Sequence, residues 1–165
     1  MEIYVTIDIK IKRGSVKGIL PRKIVAASIS GSIFAIIFGF VFHSLGEGNS
    51  QVYLVSTITS IPFYMMYSFP VILVYGVCTS MISDRIGEFI TKPNQKTEWM
   101  VSAILHILFG LILKWISLFA AVLFFITDRV LRRRKPYYTW GEALKSLCIP
   151  IGIWLVCMGM VWAGF

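Results

Sequence analysis

The feature that most constrains this chain is the long apolar segment Tyr53–Arg85, which is interrupted by Pro62 and Pro70 and closed by an Asp–Arg pair. A soluble domain of this size has no use for such a segment, and three further apolar runs accompany it. About 20 apolar residues suffice for a helix to cross the hydrocarbon core of a bilayer. The sequence therefore predicts four membrane-spanning helices, at about 24–45, 53–82, 99–126 and 144–165.

The composition agrees with this interpretation. Hydrophobic residues make up 57% of the chain and charged residues 15%, and the mean hydropathy is +0.78. These values are typical of membrane proteins. We expect an all-α membrane protein with two parts: a basic N-terminal segment, residues 1–23, and a four-helix transmembrane domain, residues 24–165.

The N-terminal segment has a different pattern. Isoleucine or valine occupies every second position from Ile3 to Ile11, with mostly polar residues between them. This alternation favours a short β-like strand over Met1–Lys12. A lone strand is unstable in water, so we expect a partner: a hairpin strand within Ser15–Leu20, the same strand of a second copy, or the sheet edge of another protein. The alternative interpretation is a frayed tail.

The net charge of +8 bears on the partners of the chain. Its basic residues lie largely between the apolar runs, where they would meet the anionic headgroups of a bilayer rather than nucleic acid. A second copy of the chain or another membrane protein is the other expected partner. The three cysteines, Cys78, Cys148 and Cys157, lie within apolar runs and lack metal-ligand spacing. With no catalytic or phosphate-binding motif either, we expect no metal, no cofactor and no enzymatic activity.

The first predicted span carries small residues at every fourth position: Ala27, Gly31, Ala35 and Gly39. Small residues at this spacing let the backbone of another helix approach closely. We therefore predict that this row is a helix-packing seam. The row carries no chemistry of its own.

The second and third predicted spans carry the candidate polar site. Seven polar residues of the second span fall within a sector of roughly 100° around the helix: Tyr53, Thr57, Ser60, Tyr64, Ser68, Tyr75 and Thr79. In the third span Lys114 lies at the middle of the apolar run, on one row with His106.

A lysine at the centre of a membrane helix costs about 2.5–3.5 kcal/mol, so Lys114 should face protein or water. Tyrosine hydroxyls could accept its hydrogen bonds, or its stem could extend toward the membrane surface. We predict an intramembrane polar site formed by Lys114, His106, Tyr64 and Tyr75. The alternative is that both polar rows only hold the helices together.

The basic residues do not agree fully with a four-span topology. With the N-terminus in the cytoplasm, nine basic residues of the tail and second loop lie inside, but the five of the third loop and Lys145 lie outside. Inverting the protein makes the disagreement larger. If residues 99–126 were re-entrant, every basic loop would be cytoplasmic, and a mixed-orientation dimer is a further alternative. We expect four spans with both termini in the cytoplasm.

The segment Phe69–Asp84, with its Phe-Pro start, Tyr-Gly centre and Ser-x-Asp end, resembles an uncharacterised family of small four-span membrane proteins. That family occurs in Bacillus-type bacteria and their prophages. The resemblance implies a bacterial cell-membrane protein with no established activity.

Two functions are compatible with these features. The first is a small accessory, interaction or regulatory membrane protein, suggested by the packing seam and the N-terminal strand. The second is a small oligomeric transporter or pore that uses Lys114 and the tyrosine and hydroxyl stripe.

Overall fold

A computed structural model describes the chain except residues 1, 44–49, 91–94, 112–113, 136 and 164–165. Within the described helices, it omits the side chains of residues 2–18, 42–43, 50–52, 88, 90, 95–99, 102, 109 and 114. The described residues are almost entirely helical and contain no strand, so the prediction of an all-α protein is confirmed. The helices are α1 (Glu2–His43), α2 (Ser50–Val71), a π-helix (Ile72–Gly76), α3 (Val77–Ile90), α4 (Gln95–Leu111), α5 (Lys114–Arg134) and α6 (Trp140–Trp162).

The strand predicted for Met1–Lys12 is not confirmed. Helix α1 begins at Glu2 and continues without a break through Pro21 to His43. A helix satisfies its backbone hydrogen bonds within its own segment, whereas a strand needs a partner. The alternating pattern therefore does not decide the structure of a segment that is continuous with a long helix.

Three described segments are long and apolar enough to cross a membrane: Ile19–Val41, Tyr53–Gly87 and Trp140–Trp162. They correspond to the first, second and fourth predicted spans. The second comprises α2, the π-helix and α3, so the two prolines do not end it.

The third predicted span, 99–126, is not one helix. It is divided between α4 and α5, and the two helices pack against each other in antiparallel directions. Gly110 of α4 makes this possible, because a Cβ there would lie 2.9 Å from Cβ of Ala121 and 3.2 Å from Cα of Leu118. The continuous apolar run therefore forms a helical hairpin, and Lys114, predicted at mid-span, is the first residue of α5.

The core of the bundle surrounds α1. Buried residues of α1 pack on one side against Ile72, Val77 and Phe124, and on the other against Ile61, Met65 and Cys157. Helix α6 runs parallel to α1, because Ser146 donates to Ser28 at 3.2 Å and Cys157 packs in the cluster that contains Ala35.

Helix α6 begins at a capping box. Thr139 accepts from the backbone N–H of Glu142, whose carboxylate accepts from the backbone N–H of Thr139. This reciprocal pair satisfies backbone groups that the first turn of a helix leaves without partners. The cap therefore fixes the start of α6 after the basic end of α5.

Candidate functional site

Four charged side chains meet inside the bundle, and we call them, together with Ser80, the ion-pair cluster. Arg22 donates to Asp128 from Nε at 2.8 Å and from Nη2 at 3.3 Å. Lys23 donates to Asp84 at 2.7 Å and to the Ser80 hydroxyl, and its Nζ lies 3.6 Å from Asp128. The cluster therefore joins α1, α3 and α5.

Burial makes these contacts strong constraints on the fold. The Lys23 side chain is 0% exposed, and those of Arg22 and Asp128 are 8% exposed. Taking an ion out of water costs several kcal/mol unless a partner and hydrogen bonds compensate. Here two cations face two anions, so the cluster is neutral as a whole. Losing one member would leave an uncompensated buried charge.

The ion-pair cluster also fixes which helix ends lie together. Arg22 and Lys23 lie near the start of the first apolar span, Asp84 near the end of α3, and Asp128 in the second half of α5. The start of α4 and the end of α5 are consequently at the same end of the bundle. At 1.5 Å per residue, Lys114 lies about 21 Å along α5 from Asp128, at the tip of the hairpin.

A cavity of about 570 Å³ lies between the hairpin and the helices α1 and α2. Phe34 and Phe38 of α1 line it, as do residues of both hairpin helices. The hydroxyl-bearing residues of its wall are Tyr64, Tyr67, Ser68, Tyr75, Thr79 and Ser117. Binding sites for small molecules typically have about 300–1,000 Å³ and mostly apolar walls with a few polar groups. The cavity has both properties.

The π-helix forms part of the cavity wall, through Ile72, Tyr75 and Gly76. It begins two residues after Pro70, which has no N–H to donate and so interrupts the regular ladder of α2. A π-bulge inserts one extra residue into a turn and is frequent at functional sites. It thereby changes the direction in which the following residues point. Gly76 packs beside Phe124 there, and a Cβ at this position would make an ordinary contact, 3.6 Å from the ring.

His106 of α4 lines the cavity and also packs against α5 within the hairpin. It is 5% exposed, and its ring is stacked on that of Phe124 with centroids 5.9 Å apart and planes 12° apart. Its Nδ1 is buried and has no hydrogen-bond partner among the described residues. Most buried polar atoms in proteins do have one.

The structure brings together three of the four residues predicted as a polar site. Tyr64, Tyr75 and His106 all line the cavity. The side chain of Lys114 lies outside the described residues, and the predicted row through Lys114 is divided at the hairpin tip. Gly110, four residues before Lys114, and Ser117, three residues after it, nevertheless both line the cavity, from opposite arms of the hairpin.

The predicted packing seam on α1 is buried. Ala27 and Ala35 are 0% exposed. A Cβ at Gly31 would lie 3.0 Å from the Phe69 ring, and one at Gly39 would lie 2.5 Å from Cγ1 of Ile61. Helix α2 therefore approaches α1 closely at both glycines.

The sequence did not predict the ion-pair cluster. Its partners are separated by 61 and 106 residues, and Asp128 was expected on the other side of the membrane from Arg22. The signal that could have found it was the disagreement of the third loop with the charge rule. A re-entrant hairpin removes that disagreement and brings Asp128 to the side of Arg22.

No family model, no curated protein and no solved structure matches this chain. The resemblance of Phe69–Asp84 to a family of Bacillus-type bacteria therefore stays a prediction.

Proposed function

We propose that this chain is a multi-pass protein of a bacterial cell membrane with a cytoplasmic N-terminus, three spans and a re-entrant hairpin. The ion-pair cluster supports this topology, since it joins Asp128 on the α5 arm of the hairpin, and Asp84 of α3 before the hairpin, to the start of the first apolar span on α1. The apolar part of α4, from Trp99 to Leu111, is about 20 Å long, which is shorter than the ~30 Å hydrocarbon core. In this topology 15 of the 16 lysines and arginines, all except Lys114, lie on the cytoplasmic side.

We infer that the protein binds a small, largely apolar molecule from the membrane, as an accessory or regulatory protein rather than an enzyme. The observation that carries this proposal is the cavity of about 570 Å³ between the hairpin and α2. Its walls come from the five helices α1 to α5, and the π-helix forms one side of it. The cavity is open on one side, where Tyr67 is 71% and Ile116 53% exposed, so a molecule can enter it from the membrane.

The test is photolabelling in nanodiscs with an apolar aryl diazirine, followed by mass spectrometry of the labelled peptides. We expect labelling of cavity residues beyond that of lipid-facing Leu155 on α6, which is 58% exposed. Ser117→Phe should fill part of the cavity and suppress that labelling. Val122→Phe is the matched control, since Val122 lies on the same helix and is 38% exposed. Equal labelling of cavity and lipid-facing residues in both variants would refute the proposal.

An accessory role also requires a surface for another membrane protein or a second copy. Helix α6 offers one, because Gly152 and Gly159, seven residues apart, have no heavy atom within 4 Å of where a Cβ would stand. Small residues at a helix surface favour close helix association in membranes. Exposed Cys148 lies four residues before Gly152 and provides the test. Oxidative crosslinking at Cys148 should yield dimers that Gly152→Leu abolishes, whereas unchanged crosslinking would count against this surface.

A small oligomeric transporter or pore is the second candidate. The cavity favours it, since its wall extends from Thr79, beside the ion-pair cluster, to Ile116, two residues from Lys114. Transport of an anion or a proton-coupled neutral solute would then depend on Lys114 at the hairpin tip. Lys114→Met should abolish a flux into proteoliposomes without changing the protein's assembly. A flux that survives this substitution would exclude the lysine from the path.

A further inference from the structure

The two ends of the cavity have different chemistry. Toward the ion-pair cluster its wall includes His106 and Thr79, whereas the opposite end is formed by Phe34, Phe38 and Ile116 together with the hydroxyl-bearing Tyr64 and Ser117. The rings of Phe34 and Phe38 are stacked, with centroids 4.3 Å apart. Along α5, from Ile116 to Phe124, the wall extends about 12 Å. A molecule with one polar end and an apolar body matches this arrangement.

His106 determines what the polar end can recognise. Neutral imidazole has one N–H donor and one nitrogen acceptor. The Nδ1 atom is buried without a hydrogen-bond partner in the described part of the chain. Aromatic rings flank the imidazole, with Phe124 at 5.9 Å and Phe125 at 5.5 Å between centroids. Because the buried Nδ1 exposes almost no surface, the other ring nitrogen, Nε2, is the atom that a ligand in the cavity can reach, and it serves one small hydrogen-bonding group.

The charge balance beside His106 argues against an ionic ligand. Arg22 is matched by Asp128 at 2.8 Å and Lys23 by Asp84 at 2.7 Å. These four side chains therefore offer a ligand no uncompensated charge. Arg129 also lies near His106, but it is not among the described residues of the cavity wall, and its guanidinium lies over the Phe125 ring, 5.3 Å from the centroid. An ionised head would lose its hydration at this depth without gaining a counter-ion from the ion-pair cluster. An uncharged hydroxyl or carbonyl would lose far less.

We propose that the cavity takes an uncharged amphipathic molecule, with a hydroxyl or carbonyl group that hydrogen-bonds to His106 and an apolar body, such as an aromatic ring, among Phe34, Phe38 and Tyr64. This inference rests on the proposed function, because it names the ligand class of the same cavity. The hydrogen bond sets the orientation of the ligand, and the aromatic wall supplies most of the buried contact.

The experiment compares two competitors of the aryl diazirine that differ in one group: 2-naphthol and naphthalene. Protection of cavity peptides is measured in nanodiscs, and the concentrations are corrected for partition into lipid. Wild-type protein should prefer 2-naphthol by about 2- to 10-fold, the effect of one neutral hydrogen bond. His106→Leu should reduce the ratio to about 1, and His106→Gln, which keeps a hydrogen-bonding group, should restore part of it.

The outcomes separate this inference from the function on which it rests. Equal competition by the two compounds in the wild-type protein overturns the ligand class, while labelling of the cavity still supports binding. A preference for 2-naphthol that persists in His106→Leu overturns the role of His106. Absence of cavity labelling overturns the proposed function itself. Circular dichroism of each variant verifies that the helices are intact, so a loss of competition is not a loss of fold.

Discussion

Replacement of Asp128 by asparagine tests a buried, doubly hydrogen-bonded ion pair between α1 and α5. The carboxylate accepts two hydrogen bonds from Arg22, at 2.8 and 3.3 Å, and both side chains are 8% exposed. Asparagine keeps the shape of the side chain but removes its charge, so two buried cations then face one anion. Removal of one partner of a buried pair typically costs about 3–5 kcal/mol. We expect a loss of that size in the free energy of unfolding.

The double variant Arg22→Met/Asp128→Leu isolates the cause of that loss. It removes one cation and one anion, and Lys23 remains matched by Asp84 at 2.7 Å. Buried ion pairs can often be replaced by apolar side chains at little cost or with a gain. The double variant should therefore be within about 1 kcal/mol of wild type, far less than the sum of the single losses.

The assay is reversible unfolding in mixed micelles by titration with dodecyl sulfate, followed through tryptophan fluorescence. Lys135→Met is the control, because it removes an ion pair of similar chemistry, with Glu142, whose side chains are 49% and 38% exposed. Exposed pairs contribute little, so this change should be small. A loss below about 1 kcal/mol for Asp128→Asn, or additive losses in the double variant, would refute the argument that charge balance holds the hairpin.

Three further predictions follow from the hairpin and its surroundings. In a cysteine-free background, an impermeant maleimide should label cysteines placed at Ser50 and Lys135 from opposite sides of the membrane, whereas four spans would place them on the same side. Gly110→Ala should destabilise the protein by about 1–3 kcal/mol, because its Cβ would lie 2.9 Å from a Cβ of α5. The control Gly159→Ala, with open space around it, should be neutral or stabilising in the same unfolding assay. Thr139→Ala should cost about 1 kcal/mol by removing the cap of α6, and helix content at the α6 start, measured by hydrogen exchange, should fall with it.

The sequence was sufficient for the features that depend on composition and local spacing. The apolar runs located the three helices long enough to span a membrane, because length and hydropathy alone decide that property. Four-residue spacing likewise identified Ala27, Gly31, Ala35 and Gly39 as residues of one helix face, and the structure buries all four.

The hairpin could not be read from the same signals. Residues 99–126 form one apolar run with Gly110 as the only turn-type residue, and periodicity does not distinguish one long helix from two shorter ones. A tertiary contact distinguishes the hairpin from one long helix. It is the hydrogen bond from Arg22 to Asp128, which are 106 residues apart in the sequence. The charge of the third loop carried indirect evidence of that contact, since its five basic residues and Lys145 are hard to explain on the outer side.

The ion-pair cluster and the cavity are mechanically connected through α5. Asp128 is four residues beyond Phe124, which lines the cavity and packs on His106, so the bond to Arg22 fixes the position of that wall. Asp128 is not itself part of the cavity wall. Asp128→Asn should nevertheless reduce photolabelling of the cavity. Weaker bonding to Arg22 lets the end of the hairpin beside the ion-pair cluster move, and this changes the distance of α4 and α5 from α2.

The capping variant Thr139→Ala provides the comparison for this last effect. It destabilises the start of α6, eleven residues after Asp128, without changing a contact between the hairpin and α1. If both variants reduce cavity labelling in proportion to their loss of stability, the cavity depends only on global folding. If Asp128→Asn reduces it more at equal stability, the ion-pair cluster positions the hairpin and thereby holds the cavity open. The geometry of α5 predicts the second result, since Asp128 and Phe124 are one helical turn apart on the same face.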